Sequence, residues 1–256
     1  MFDNTKLHDE YCVAFVDILG FKSMTSKNQL TTYGPILNDA IKKMKTLTQI
    51  RAFGSGDDSF KYNIHTVQFA DSIVLLFPND IRCCLLSMSW LAFLQFELAQ
   101  KGVFLRGAIC TGQMYIDPEE DIYYGEAWNE AVLQEGKAIH PRIILQNNFA
   151  LMVEEKLRNI GESVFEFYLS SDGYYVLDAY RECFWMFGDA TYSTKYFGIE
   201  MILISVKERI AYKLDASILN KYKWLIEELI IASADKEDVN KKAKNLKEKI
   251  EQKLSQ

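Results

Sequence analysis

Two strongly apolar, β-forming stretches of this chain each contain a single aspartate. Residues 15–21 read Phe-Val-Asp-Ile-Leu-Gly-Phe and contain Asp17, and residues 68–74 read Gln-Phe-Ala-Asp-Ser-Ile-Val and contain Asp71. Aspartate is disfavoured in β-strands, and a buried carboxylate without a partner is costly. Two such aspartates predict a paired-carboxylate metal site, because Mg²⁺ is usually held by one or two carboxylates together with substrate phosphates.

Composition and charge exclude several function classes. The 256 residues are 49% hydrophobic and 25% charged, which allows a sizeable core in one elaborated domain or two small ones. The formal net charge of -6 argues against general nucleic-acid binding, which needs a basic surface. The cysteines have no C-x-x-C spacing and the histidines are scattered, so we expect free thiols in a cytoplasmic protein rather than disulfides or zinc. No apolar run of about 18 residues lacks charge, so we expect no membrane span.

The order of the predicted elements indicates an α+β fold. In chain order they are a strand (11–19), a helix (30–50), the two strands of a hairpin (62–69 and 72–77), a helix capped by Asn79 or Asp80 and ending at 98, a strand (103–110), a helix (125–137), a short strand (142–145) and a helix (148–159). This β-α-β-β-α-β order predicts a ferredoxin-like arrangement, with helices on one face of a mostly antiparallel sheet. In that topology the first strand lies beside the hairpin, so Asp17 and Asp71 should lie close together.

A glycine-rich stretch at residues 54–58 is the remaining candidate for phosphate binding. It lacks the G-x-x-x-x-G-K-[ST] pattern, and no clear strand precedes it. We therefore predict a turn or loop there.

The character of the chain changes near residue 191. We predict a first domain at residues 1–190 and a helical extension at residues 191–256, with helices at 201–214, 215–232 and 235–256. The last helix is rich in Lys and Glu and carries a narrow apolar stripe. That stripe predicts either an amphipathic helix packed on the body or a helix-pairing segment in a dimer.

Several motifs, in order, give the chain a resemblance to a known family. They lie at residues 15–21, 69–72, 105–109, 124–131 with Glu135, and 141–143, followed by 171–174 and 221–225. On these motifs the chain resembles the class III nucleotide cyclases, and within them the bacterial pyrimidine cyclases of the Pycsar antiphage system. The resemblance implies conversion of UTP or CTP to the 3′,5′-cyclic monophosphate with loss of pyrophosphate. It also implies that a separate effector protein reads the product during phage infection.

The resemblance also implies a site. Two divalent ions, Mg²⁺ or Mn²⁺, would be held by Asp17, Asp71 and the backbone carbonyl of Ile18. The implied substrate-binding residues are Gly20, Phe21, Lys22 and Ser72. The first three would offer backbone amides to phosphate oxygens, whereas Ser72 is either a substrate contact or a turn residue.

The family site is shared between two subunits of a homodimer. An asparagine and, four residues later, an arginine come from the second subunit; here the asparagine position is Asn129, but the arginine position holds Leu133. An arginine fork stabilises charge on a transferring phosphoryl group, so another cation should replace it. Arg106 and Arg142 are the candidates, and Lys137 is a third.

Alternative interpretations of these residues stay open. Arg106 could pair with a carboxylate, Glu135 could pair with an arginine, Arg142 could anchor a strand end, and Asn129 could be a surface residue. Adenylate cyclases have a lysine four residues before the second aspartate, where this chain has Val67. A purine cyclase of the same fold is one alternative function. The other is a degenerate cyclase-like domain that binds a nucleotide and regulates, and Leu133 favours it.

Overall fold

A computed structural model of the chain describes residues 3–26, 29–46, 64–163, 166–181 and 191–256. The glycine-rich stretch at 54–58, the ends of two predicted elements at 47–50 and 62–63, and Cys183 lie outside the described residues. The helices are α1 (Phe21–Met24), α2 (Leu30–Thr46), α3 (Ile81–Ala99), α4 (Glu126–Glu135), α5 (Asn147–Asn159), α6 (Thr191–Ile210), α7 (Ala216–Ala232) and α8 (Glu237–Leu254).

The strands form one mixed sheet. They are β1 (Leu7–Ile18), β2 (His65–Phe69), β3 (Ser72–Pro78), β4 (Leu105–Asp117), β5 (Ile122–Gly125), β6 (Ile143–Leu145), β7 (Phe167–Leu169) and β8 (Tyr175–Leu177). The sheet order is β2-β3-β1-β4-β6-β8-β7, and β5 pairs with β4. All pairings are antiparallel except that of β4 with β6. The predicted α+β fold with a ferredoxin-like core is confirmed, because β1 lies between the hairpin strand β3 and β4.

The sheet buries side chains on both of its faces. Alternate residues of β1, such as Cys12 and Ala14, enter a large core formed with α2, α3 and the C-terminal helices. The intervening residues, such as Val13, enter a smaller core with Ala127 and Ala131 of α4. The helices thus lie mainly on one face, as expected, while α4 covers part of the other. Since a strand alternates its side chains, this second face is where Asp17 and Arg106 also point.

Helix α3 shows how local sequence sets an element. The Asp80 side chain accepts a hydrogen bond from the Arg82 amide at 2.9 Å, which is the predicted N-cap. Among the described residues, α3 is the one helix long and apolar enough to cross a membrane, but most of it is buried inside the protein. A core helix of a soluble protein has the same character.

The C-terminal helices share the main core. The Tyr222 ring lies 5.7 Å from the Phe104 ring, and Leu225 of α7 is fully buried. Helix α6 begins at Thr191, ten residues before the predicted start at 201. The apolar stripe of α8 is buried against the body, so in this structure α8 is the predicted amphipathic helix packed on the body. The boundary near residue 190 stays a prediction.

Candidate active site

The C-terminal end of β1 and the tip of the β2–β3 hairpin meet at one end of the strands, which we call the sheet edge. Asp17 is the next-to-last residue of β1 and stands opposite Ser72 on one side and Arg106 on the other. The Ile18 amide donates a hydrogen bond to the Asp71 carbonyl at 3.2 Å, which docks the hairpin tip onto β1. The Ala70 backbone at the tip has φ +50°, a region that non-glycine residues rarely adopt. The Asp17 and Asp71 side chains are thereby close enough to hydrogen-bond.

The Asp17 carboxyl is destabilised in its charged form. Burial, then a hydrogen bond with Asp71 and the negative charge of Asp71, and finally the charge of Glu135, raise the pKa of Asp17 to about 7, while Arg106 acts in the opposite direction. Within the described ranges, the buried Oδ1 of Asp17 has no hydrogen-bond partner. Buried polar atoms are almost always satisfied, so this oxygen indicates a missing ligand.

A divalent cation fits this pair of carboxylates. Both are hard oxygen donors, and a cation between them would satisfy the orphaned Asp17 oxygen and remove the repulsion from Asp71. In the part of the chain that the structure describes, no group of three or more His, Cys, Asp or Glu side chains could hold a metal. Two carboxylates leave the other coordination positions of such an ion for oxygens of other groups, which for Mg²⁺ are commonly water and substrate phosphates. Because the Ile18 side chain is buried in the core, only its backbone can face such an ion.

A turn at Gly20 follows Asp17 and Ile18, which with Asp71 are the candidate metal ligands (the metal candidates). Gly20 has φ +83°, a conformation that glycine adopts at little cost, and open space surrounds the position of its missing Cβ. The first backbone hydrogen bonds of this turn start at the Ser23 amide. The turn leaves the Phe21 and Lys22 amides, which precede Ser23, for water or a ligand.

Arg106 lies between two carboxylates of its own chain. Its Nη2 is 3.4 Å from Asp17 Oδ2, and its Nε is 2.6 Å from Glu135 Oε1. The Nε–Oε1 contact is an ion pair rather than a directed hydrogen bond, since neither atom has a well-aligned partner in the described residues. These contacts agree with the alternative interpretation in which Arg106 pairs with a carboxylate and Glu135 pairs with an arginine. They also connect β1, β4 and α4 around the metal candidates.

The two other predicted catalytic residues lie elsewhere. Asn129 and Leu133 are exposed and one turn apart on α4, with Leu133 65% exposed. Arg142 is only 2% exposed and forms a bidentate pair with Asp172, with distances of 3.1 and 2.6 Å. Its guanidinium also lies 5.6 Å from the centre of the Trp224 ring in α7. Arg142 thus joins β6 to the C-terminal helices.

An aromatic wall stands beside the hairpin tip. The Phe69 ring lies 6.4 Å from Phe15 and 6.2 Å from Trp128, and Phe69 is 42% exposed. Val67 packs on the same side, facing the small core. This wall comes from β1, β2 and α4, so no local sequence pattern predicts it.

A cleft that the sequence does not predict lies beside Gly20, which is one of its lining residues. It has a volume of about 570 Å³ and is lined by residues of α1, α2, α6 and α7. Arg209 and Lys221 supply its cations. These residues are about two hundred positions from Gly20 in the chain, and only the motif at residues 221–225 hints at a role for that region.

Solved structures similar to this chain are adenylyl and guanylyl cyclases. The adenylyl cyclase CyaB from P. aeruginosa is 14% identical, with a TM-score of 0.49, and the match covers 69% of this chain and 98% of that one. The guanylyl cyclase Cya2 is 14% identical, with a TM-score of 0.44 and coverage of 67% and 91%. The catalytic core of a rhodopsin-guanylyl cyclase with converted specificity is 13% identical, with a TM-score of 0.44 and coverage of 67% and 97%.

No protein-family model and no curated protein sequence matches the chain. At the identities of the solved structures, no residue-by-residue correspondence follows. The assignment of the site residues therefore rests on the geometry around Asp17 and on the motifs of the sequence.

Proposed function

We propose that this protein is a metal-dependent nucleotide cyclase that converts UTP or CTP to the 3′,5′-cyclic monophosphate and pyrophosphate. The observation that carries the proposal is the pair of Asp17 and Asp71 at the sheet edge, with one buried Asp17 oxygen unsatisfied. A paired carboxylate beside an open glycine turn suits a nucleoside triphosphate held through divalent ions.

The proposed reaction is an in-line displacement at the α-phosphorus, in which different residues have different roles. The ribose 3′-oxygen forms a bond to the α-phosphorus while the bond to pyrophosphate breaks, and the hydroxyl proton leaves to solvent. Divalent ions, when bound by Asp17, Asp71 and the Ile18 carbonyl, supply charge neutralisation and lower the pKa of the 3′-hydroxyl. The amides of Phe21 and Lys22 would hold phosphate oxygens at the turn.

The outward face of α4 supports a homodimer with shared active sites. Asn129 lies on that face together with two exposed apolar side chains, Val132 (40% exposed) and Leu133 (65% exposed). Exposed apolar residues around a polar one are typical of a protein interface. In the proposed dimer, Asn129 reaches the partner's nucleotide rather than that of its own chain.

Pyrimidine selectivity is the finer part of the proposal. The position of the purine-reading lysine holds Val67, and the neighbouring wall of Phe15, Phe69 and Trp128 takes up space beside the metal candidates. A smaller base fits a narrowed pocket better than a purine does. The similar solved structures are purine cyclases by their names, so ATP and GTP remain the competing substrates.

A degenerate nucleotide-binding domain is the second candidate function. Leu133 favours it, because an apolar side chain stands where the family's arginine would stabilise charge. Such a domain would bind a triphosphate through Asp17 and Asp71 but release no pyrophosphate.

Product analysis tests the proposal directly. The purified protein is incubated with ATP, GTP, CTP or UTP and Mn²⁺, and the products are identified by mass. Cyclic UMP or cyclic CMP would support the proposal, and a cyclic purine would keep the mechanism but overturn the base selectivity. Absence of product from all four substrates, with triphosphate binding intact, would favour the degenerate domain. The variant Asp71→Ala is the negative control.

The proposed setting follows the resemblance. A cytoplasmic enzyme without nucleic-acid or membrane partners would release a diffusible cyclic nucleotide, and a separate effector protein would bind it during phage infection. The negative net charge of -6 agrees with a small-molecule substrate held at a local site rather than a nucleic acid held on a basic surface.

A further inference from the structure

The cleft beside Gly20 is an uncompensated positive site. Its lining contains Arg209 and Lys221 and, among the described residues, no carboxylate. The chain as a whole carries an excess of acidic residues, with 35 Asp and Glu against 29 Lys and Arg, so the charge of the cleft is opposite in sign to the net charge of the protein. Two of its lining residues lie at strand ends, since Gly20 follows β1 and Phe104 precedes β4, so the cleft adjoins the end of the strand that carries Asp17.

Arg209 is held rigidly in the cleft wall. Its Nη2 donates a hydrogen bond to the Gly102 carbonyl at 2.5 Å, and its guanidinium lies 5.3 Å from the Tyr33 ring centre and 5.6 Å from that of Phe104. Carbonyl and ring contacts position the guanidinium without neutralising it. In the described part of the chain, Arg209 has no carboxylate within 4.0 Å.

Lys221 has a charge that its own chain does not offset. It is half-buried on α7 and forms no ion pair with any described residue. Burial lowers the pKa of Lys221, and the nearby Arg106 guanidinium lowers it further.

We propose that Lys221, with Arg209 as the fixed wall behind it, binds the terminal phosphates of the nucleoside triphosphate, so that the C-terminal helices complete the substrate site of their own subunit. The inference rests on the proposed function for the identity of the anion. The cleft adjoins the metal candidates at Gly20, and a triphosphate whose α-phosphate lies at Asp17 extends past this glycine. Lysine binds phosphate as a point charge, which suits the mobile end of a polyphosphate.

The first test uses the wild-type full-length protein and inorganic tripolyphosphate with Mg²⁺. Lysines are acetylated with and without the anion, and each site is quantified by peptide mass spectrometry. We expect tripolyphosphate to protect Lys221 and to leave the exposed Lys244 of α8 unaffected. Equal acetylation of Lys221 in both conditions would overturn the inference.

The second test compares matched variants by calorimetry. Lys221→Gln should weaken tripolyphosphate binding about tenfold, because one charge-assisted contact is lost, and Lys221→Arg should retain most of the affinity. Lys244→Gln removes the same charge and should bind as the wild type does. In turnover, Lys221→Gln should raise KM more than it lowers kcat. A folded Lys221→Gln variant with wild-type affinity would refute the assignment.

The two proposals fail in different ways. Protection of Lys221 by tripolyphosphate without any cyclic product would keep the anion site and overturn the cyclase function. Cyclic product without protection of Lys221 would keep the cyclase and overturn the anion site.

Discussion

Replacement of Asp17 by asparagine should stabilise the metal-free protein while abolishing its proposed chemistry. The pKa of Asp17 rises from its ordinary value of 3.8 to about 7, mainly through burial and then through Asp71. A shift of about three pKa units corresponds to about 4 kcal/mol of unfavourable ionisation. The side chain keeps 18% exposure, so solvent screens part of this penalty. The pKa of about 7 already includes the opposing effect of Arg106, and after the discount for solvent we expect a net gain of about 2 kcal/mol at pH well above about 7.

The gain should depend on pH with a defined sign. The native state binds the Asp17 proton more tightly than the unfolded state does, so wild-type stability falls as pH rises from about 4 to about 7. Asp17→Asn lacks this titration, so its advantage should grow across the same window and stay level above it. Urea unfolding in a chelator, at intervals between about pH 4 and pH 8.5, measures the difference.

A surface variant provides the control. The Lys101 side chain holds the pKa of Asp39 below its usual range, so Asp39→Asn should give no stabilisation at any pH. An Asp17→Asn protein no more stable than wild type at high pH would refute the electrostatic account of the site. Addition of Mn²⁺ should stabilise the wild type but not Asp17→Asn, since anything that binds only the native state raises stability.

Five further variants test the rest of the site and the anchor at Arg142. Asp71→Ala should abolish cyclic product formation without loss of the fold, as measured by mass analysis and circular dichroism; full activity would exclude Asp71 as a metal ligand. Asp17→Ala and Asn129→Ala subunits, each inactive alone, should recover activity when mixed, because one intact shared site can form per mixed dimer; confirmed mixed dimers without activity would argue against sharing. Leu133→Arg should raise kcat if a missing cation limits turnover, and an unchanged kcat would show that another group supplies the charge. Arg142→Ala should lower the free energy of unfolding by about 1–3 kcal/mol, because it removes a nearly buried guanidinium together with its contacts to Asp172 and Trp224; urea unfolding measures this, and a loss under about 0.5 kcal/mol would contradict an anchoring role.

The sequence predicts those parts of the molecule that depend on local pattern. Apolar, β-forming runs locate β1 and the hairpin, and the ferredoxin-like order then places Asp17 beside Asp71, as the structure has them. Contacts between residues that are far apart in the sequence cannot be predicted in this way. The pairing of Arg106 with Glu135 requires α4 on the second face of the sheet, whereas the expected arrangement had helices on one face only.

The C-terminal region shows the same limit. Amphipathic spacing predicts the buried stripe of α8, but it cannot tell which surface covers the stripe. Nothing in the local sequence around Lys221 predicts that α7 brings this lysine to the cleft at Gly20, because that position depends on the packing of Tyr222 against Phe104.

Three cations of the chain are candidates to replace the arginine that the family has at the position of Leu133. Arg142 is committed to Asp172 and cannot reach a phosphate without leaving a nearly buried site, which is costly. Lys137 is exposed, and its flexible point charge replaces a guanidinium fork poorly. Arg106 already lies at Asp17, and an ion bound there would weaken the attraction between the two by competing for the carboxylate. We propose Arg106 for the role of the missing arginine, because it is the candidate that lies beside Asp17. Arg106→Gln should therefore lower kcat far more in the wild-type background than in the Leu133→Arg background, where an arginine again stands at the family position. Equal losses of kcat in the two backgrounds would mean that Arg106 serves the fold alone.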